Sequence, residues 1–337
     1  MQSRNTRWIN VQGRLLAAPA NSVRIARMQT IALGSTGVIS SRLAYGCWRI
    51  ARAGVEAADL VTARRAILAA VDAGYTLFDH ADIYCDGRAE SVFGAVLRET
   101  PSLREKLVIA TKCGIRFAGE PTAHAPYRYD LSAEHIVRSC EQSLTRLGIE
   151  RIDLFQLHRA DPLMNTEEVA HAFDELHRAG KVRAFGVSNF RPSQVEALQQ
   201  ACVHPLVVNQ VEVSLLQLGS LADGTLDQCQ ARKMAPLAWS PLAGGLLGDG
   251  AVDILPSQSV YRPAEVVSLL DAIALARGTT RMPIALAWLL KHPAGIVPII
   301  GSTDPVRIRA AATATEIELS REEWYGLLTV ARGEPLP

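Results

Sequence analysis

The chain lacks a dominant sign of charge. Its 337 residues carry 35 lysines and arginines against 34 acids, a net charge of +1. No long-range field gathers nucleic acid or an anionic surface onto such a protein. Long apolar runs are absent too, so no segment reads as a membrane span. Cysteine is scarce. Cys47, Cys85, Cys113, Cys140, Cys202 and Cys229 are scattered, and no two form a C-x-x-C pair. That argues against a disulfide framework or a zinc knuckle and for reduced thiols in a cytoplasmic protein. The eight histidines show neither H-x-x-x-H nor H-E-x-x-H spacing, and no metal site is expected. A G-x-G-x-x-G turn opening a helix is missing as well. The cluster Gly244-Gly245-Leu246-Leu247-Gly248 lacks the strand before it and the acid after it, which excludes the doubly wound phosphate-binding turn.

Acids are absent from the start of the chain. Residues 1–27 carry five arginines (Arg4, Arg7, Arg14, Arg24, Arg27), and the first acid is Glu56. The apolar stretch Leu15 to Ala20 is short and broken by Pro19, so a secretory leader is not indicated. A disordered basic extension over 1–27 is expected, with the folded unit running from 28 to 337.

What is present is alternation. A small hairpin comes first: TIAL, a turn at Gly34-Ser35-Thr36-Gly37, then VIS. Short apolar runs and amphipathic stretches follow in turn. The runs end at Gly46-Cys47-Trp48, Asp79, Lys112, His158, Ser188-Asn189, Gln210, Trp239-Ser240 and Gly301-Ser302. Helix signals separate them. Gly74 stops the helix near 57–73, Ser132 caps the next-but-one, and Thr166-Glu167-Glu168 supplies an acidic first turn. Strand–helix alternation implies parallel strands with helical crossovers. Eight units in one chain favour a closed (β/α)8 barrel of the TIM type, preceded by the N-terminal hairpin.

In such a barrel the chemistry sits at the carboxyl ends of the strands. Asp79, Lys112 and His158 would therefore meet at one mouth, with Tyr84 five residues beyond Asp79 in the same loop. Singly, an Asp after a strand is ordinarily a helix cap, and a Lys or His there a solvated loop residue. Together they match a specific task. A tyrosine with an ordinary pKa near 10 is a poor acid at neutral pH. A lysine cation beside it favours the phenolate and lowers that pKa. A carboxylate keeps the lysine charged, and a histidine can donate a hydrogen bond to a carbonyl oxygen. This set suits protonation of a carbonyl oxygen while a hydride reaches its carbon.

The segments GYTLFDHADIYCDGRAESVFG, LVIATKCG, IDLFQLHR, GKVRAFGVSNF, VVNQVEVS, LAWSPLAGGLL and PIIGST resemble, in order, the signature segments of the aldo-keto reductase superfamily, in particular its bacterial oxidoreductase branch. The resemblance runs from Thr30 to about Glu334. It implies NADP(H)-dependent reduction of aldehydes or ketones to alcohols. It makes Tyr84 the general acid, Lys112 and Asp79 its tuning pair, and His158 the residue that orients the substrate. Ser188, Asn189 and Gln210 match residues that hold the nicotinamide carboxamide. Trp239 matches the aromatic that stacks on the ring. Ser240, Leu242 and Gly244 fall in the loop along the pyrophosphate, and Trp48 belongs to the same cofactor set. Ser302 and Arg307 match the site for the 2′-phosphate, for which a planar guanidinium fork is suited. Here the sequence departs from the family. Gly301 stands where lysine is frequent, and Ala310-Ala311 replace a Glu-Asn pair near the adenine, so looser binding of the adenosine end is expected.

Substrate choice is expected from loops: Trp48, the stretch Phe117–Tyr129 and the residues after Gly248. His80 is expected to narrow the pocket near Tyr84, and Cys85 and Cys113 to serve as packing. The expected partner is a small carbonyl compound, with no nucleic acid and no membrane, and the expected state is a monomer. The alternative is an NADP(H)-binding regulatory or sensor protein of the same fold with little turnover.

Overall fold

A computed structural model describes residues 28–51, 56–250, 258–259 and 261–337. The basic segment 1–27 lies outside the described residues, as do most of the residues just after Gly248. The hairpin is there: β1 (Thr30–Leu33) pairs antiparallel with β2 (Val38–Ser41). Eight parallel strands follow and close on themselves. They are β3 (Ala44–Gly46), β4 (Leu77–Asp79), β5 (Val108–Cys113), β8 (Ile152–Leu157), β9 (Val182–Ser188), β10 (Leu206–Glu212), β11 (Ala235–Trp239) and β12 (Val297–Ile300). β12 pairs with β3 and seals the ring. The expected barrel with its leading hairpin is the observed fold.

Helices cover the outside: α1 (Glu56–Asp72), α2 (Arg88–Glu99), α3 (Ala133–Leu147), α4 (Thr166–Arg178), α5 (Pro192–Ala201), α7 (Thr225–Arg232), α8 (Pro263–Ala276), α9 (Arg281–Leu290) and α10 (Pro305–Ala312), with α11 (Arg321–Arg332) last. A one-turn α6 (Gly219–Ala222) precedes α7. Their ends follow local rules. The Ser132 hydroxyl caps α3, the Asn165 amide oxygen caps α4, and Ser320 with Glu323 forms a reciprocal capping box on α11. Gly148 ends α3 at φ 66°, a left-handed conformation that suits glycine.

Period two along the strands builds the site. Ala44, Leu77, Ala110, Leu154, Ala184, Val208, Leu237 and Val297 fill the barrel interior as one buried cluster. Leu33 and Val38 of the hairpin belong to the same cluster and are fully buried, so the hairpin plugs the amino-terminal end. Two residues further along each strand comes the next inward layer: Gly46, Asp79, Lys112, Gln156, Gly186, Gln210, Trp239 and Ile299. The apolar floor thus gives way to a polar layer one step nearer the mouth. Gly46 makes room there, because a Cβ would stand 2.9 Å from Cγ2 of Ile299. One element had no counterpart in the sequence reading. The stretch Phe117–Tyr129 is framed by a second small hairpin, β6 (Ile115–Arg116) with β7 (Arg128–Tyr129). No helix among the described residues is long and apolar enough to cross a membrane.

Candidate active site

At the carboxyl end of the barrel lies a cavity of about 880 Å³. Its lining includes Trp48, Asp79, Tyr84, His158, Ser188, Asn189, Gln210, Trp239, Ser240, Leu242, Gly244, Ser302 and Arg307. Of the residues expected to act, Lys112 alone stands behind the wall, fully buried.

Lys112 organises the floor. Its Nζ donates to Oδ2 of Asp79 at 2.8 Å, to the His80 carbonyl at 2.7 Å and to the Tyr84 hydroxyl at 3.2 Å. Three acceptors use all three protons of an ammonium. Burial alone would pull its pKa down, but Asp79 and Tyr84 outweigh burial and raise it. The lysine therefore stays charged. For Tyr84 the balance differs from the expectation. Burial pushes the phenol up, Lys112 pulls it back, and Asp79 adds to the rise; the net direction is upward. The lysine thus offsets a desolvation cost rather than producing a phenol below the ordinary range.

The His158 ring meets the Tyr84 ring edge-on with centroids 6.1 Å apart. Burial first, then the charges of Lys112 and Arg159, hold the imidazole well below its ordinary pKa. It is neutral at pH 7. Among the described residues its buried Nδ1 has no hydrogen-bond partner, and the residue lines the cavity.

The opposite wall is a chain of hydrogen bonds. Trp239 Nε1 donates to Asn189 Oδ1 at 3.0 Å, and Asn189 Nδ2 donates to Ser188 Oγ at 2.8 Å. Ser188 Oγ then donates to the Gln210 carbonyl at 2.8 Å. Asn189 holds φ at 57°, a left-handed conformation that asparagine tolerates better than most residues. The Gln210 side chain reaches across the barrel instead: Nε2 donates to Asp79 Oδ1 at 2.9 Å. Both Asp79 oxygens are therefore held. Sequence reasoning assigned Gln210 to the cofactor alone and missed this strut, because the two residues come from distant strands.

The far end of the cavity is basic and open. Tyr45, buried on β3, donates its hydroxyl to the Ser302 carbonyl at 2.9 Å. The Asp304 N–H donates to Ser302 Oγ at 3.1 Å, which leaves the serine proton for an outside acceptor. Arg307 is exposed and meets Asp304 only at 3.9 Å. Between the two ends, Ser240, Ala243, Gly244 and Gly245 all take positive φ, which turns the loop over the cavity. Gly244 takes its left-handed φ of 71° at no steric cost.

One expectation about the lining needs adjustment. His80 does not line the cavity; its ring is fully buried against Phe93, with centroids 4.6 Å apart. Residue 79 points inward, so its neighbour points out. Arg49 and Arg159 do line the cavity, and the sequence reading had not singled them out; Phe117 and Tyr127, from the stretch Phe117–Tyr129 expected to shape substrate choice, line it too. The Arg159 guanidinium lies 5.8 Å from the Trp239 ring centre. Cys113 is buried, with its thiol pushed well up by that burial, in keeping with a packing role. Cys85 directs its sulfur to the Ala51 carbonyl at 3.2 Å. No group of three or more His, Cys, Asp or Glu among the described residues could hold a metal ion.

The aldo/keto reductase family profile matches residues 42–328. The 6-dehydroglucose reductase of Novosphingobium aromaticivorans is 42% identical over 311 residues, covering 90% of this chain and 96% of that protein. The 6-dehydroglucose reductase of Agrobacterium fabrum is 41% identical, covering 91% of this chain and 99% of that protein. Among solved structures, the glycerol dehydrogenase of Gluconobacter oxydans superposes with a TM-score of 0.79 at 27% identity, covering 91% of this chain and 97% of that one. The chain belongs to the aldo/keto reductase family. It is an enzyme of carbonyl oxidoreduction, in a family that generally uses NAD(P)H.

Proposed function

We propose that this protein reduces aldehydes or ketones to alcohols with NADP(H), using Tyr84 as the acid. The observation that carries the reading is the fully buried Lys112, bonded at once to Asp79 and to the Tyr84 hydroxyl on the floor of the cavity. The cavity suits the cofactor by its two ends. Asn189, Gln210 and the Trp239 indole offer amides and a flat ring at one; Ser302 and Arg307 offer a hydroxyl and a guanidinium at the other. When bound, the nicotinamide supplies the hydride.

The protein's own groups do the rest. Lys112 aligns the Tyr84 hydroxyl and compensates part of the cost of its burial. His158, neutral and carrying a proton on Nε2, donates to the carbonyl oxygen and fixes its direction. Tyr84 then gives its proton to that oxygen as charge develops there. The buried floor excludes water from the transfer.

Trp48, Phe117 and Tyr127 stand exposed around the mouth, and Arg159 and His158 add polar groups below them. Aromatic faces with a guanidinium suit a hydroxylated carbonyl compound. The names of the two relatives support a sugar-derived aldehyde as the first class to try. We further read the protein as a cytoplasmic monomer.

The test is fluorescence titration with NADPH and NADH, followed by NADPH oxidation against a panel of aldehydes and ketones that includes sugar dialdehydes. Tight NADPH binding with turnover is the expected result. Binding without turnover on any carbonyl would replace the reading with a sensor. No nucleotide binding would overturn it.

A further inference from the structure

The basic end of the cavity has a second cation that the family resemblance did not supply. Arg49 follows β3, opposite the loop that carries Ser302, and is exposed to the cavity. Its Nη1 donates to the Gly301 carbonyl at 3.3 Å. Its guanidinium lies 5.7 Å from the centre of the Trp48 ring. Gly301 has no side chain, and a Cβ there would stand 3.1 Å from Nη1 of Arg49. The arginine thus covers the space that any other residue at 301 would fill. No ion pair to Arg49 occurs among the described residues. Its one hydrogen bond leaves most of the fork's donors unused.

Neither acid nearby pairs with Arg49: Asp249 accepts from the Met282 N–H and the Thr280 hydroxyl, and Asp304 accepts from the Val306 N–H and meets Arg307 at 3.9 Å. Two guanidiniums, Arg49 at the Gly301 carbonyl and Arg307 on α10, thus line the same end of the cavity as Ser302. A guanidinium fork binds phosphate through paired donors.

We propose that Arg49 grips a phosphate of the cofactor, reaching over Gly301 so that the anion is held between the β3 loop and the β12 loop. The inference rests on the proposed use of NADP(H). It predicts that the missing side chain at 301 is compensated by position 49, so that nucleotide affinity depends on both arginines.

The experiment is calorimetric titration of the full chain and of Arg49→Ala, Arg49→Lys and the double variant Arg49→Ala/Gly301→Lys with NADPH and NADH. Arg49→Ala is expected to weaken NADPH about tenfold, the scale of one lost charged hydrogen bond. Arg49→Lys should retain part of the affinity. The double variant should regain part of it, which a merely structural role for Arg49 would not give. A loss confined to NADPH assigns Arg49 to the 2′-phosphate; equal losses for both nucleotides assign it to the diphosphate bridge. Unchanged binding of both in Arg49→Ala overturns the inference while leaving the functional reading intact. Failure of the unaltered protein to bind either nucleotide removes the functional reading first.

Discussion

The two ends of the cavity are built on opposite terms. The floor around Lys112 is buried, its lysine and carboxylate are held by one another and by Tyr84 and Gln210, and Asp79, Lys112 and Gln210 come from the strands themselves. The end around Ser302 is open, its arginines are exposed, and its parts come from loops and a helix start. At the floor, position is over-determined and charge is kept from water. At the basic end, charge faces solvent and its worth depends on the ligand arriving. A change at the floor should therefore cost chemistry and stability together. A change at the basic end should cost affinity alone.

The sharpest test of that contrast is Tyr84→Phe. Turnover is expected to fall by about 10²- to 10⁴-fold, the usual range for losing a general acid, with NADPH titration nearly unchanged. Reductase activity within a few-fold of the parent would remove Tyr84 from its role. Next comes Lys112→Met. It leaves the Asp79 carboxylate buried without its counter-charge, and about 3–5 kcal/mol of stability should be lost in denaturant unfolding. An equally stable variant would mean that the floor is not held by this pair. Arg307→Ala should be the mirror image: the melting temperature stays put, while NADPH weakens about tenfold and NADH much less. Equal losses for the two nucleotides would end the assignment of Arg307 to the 2′-phosphate.

The smallest effect concerns pH. Burial lowers the pKa of His80 to about 3 and that of His135 to about 4. Both histidines are neutral in the folded protein where the unfolded chain would take up a proton. Their folded pKa values lie below the unfolded value, so stability is full above about pH 6.5 and is lost as pH falls from there. Each should contribute a slope of about 1.4 kcal/mol per pH unit between roughly pH 6 and 5. Chemical denaturation of His80→Asn across that range should show a shallower slope than the parent. An identical slope would show that His80 is not the group responsible.

Much of this was legible in the sequence for a physical reason. Strand and helix periods are local, so eight apolar runs and the signals between them announced the barrel. Each run ended in the polar residue that now faces the mouth. Contacts made by closure were not legible. Gln210 and Asp79 are 131 residues apart, and nothing near either one announces the other. The same holds for Glu90, fully buried beneath the Tyr84 loop and bonded to Thr111 and Arg146 from two other elements. The direction of His80 was missed because the residue after an inward strand end turns outward. Arg49 escaped because it meets Gly301 across 252 residues of sequence, a contact that only closure of the barrel makes.

The strut from Gln210 to Asp79 has one more consequence. In the order of the ring, β10 and β4 stand four strands apart on either side. No half of the barrel contains both ends of that bond. A chain that has assembled one half, however native its helices, still carries an unbraced carboxylate. Recovery of catalysis during refolding should therefore lag recovery of helical signal, and enzyme assays would report the meeting of the two halves rather than the formation of either.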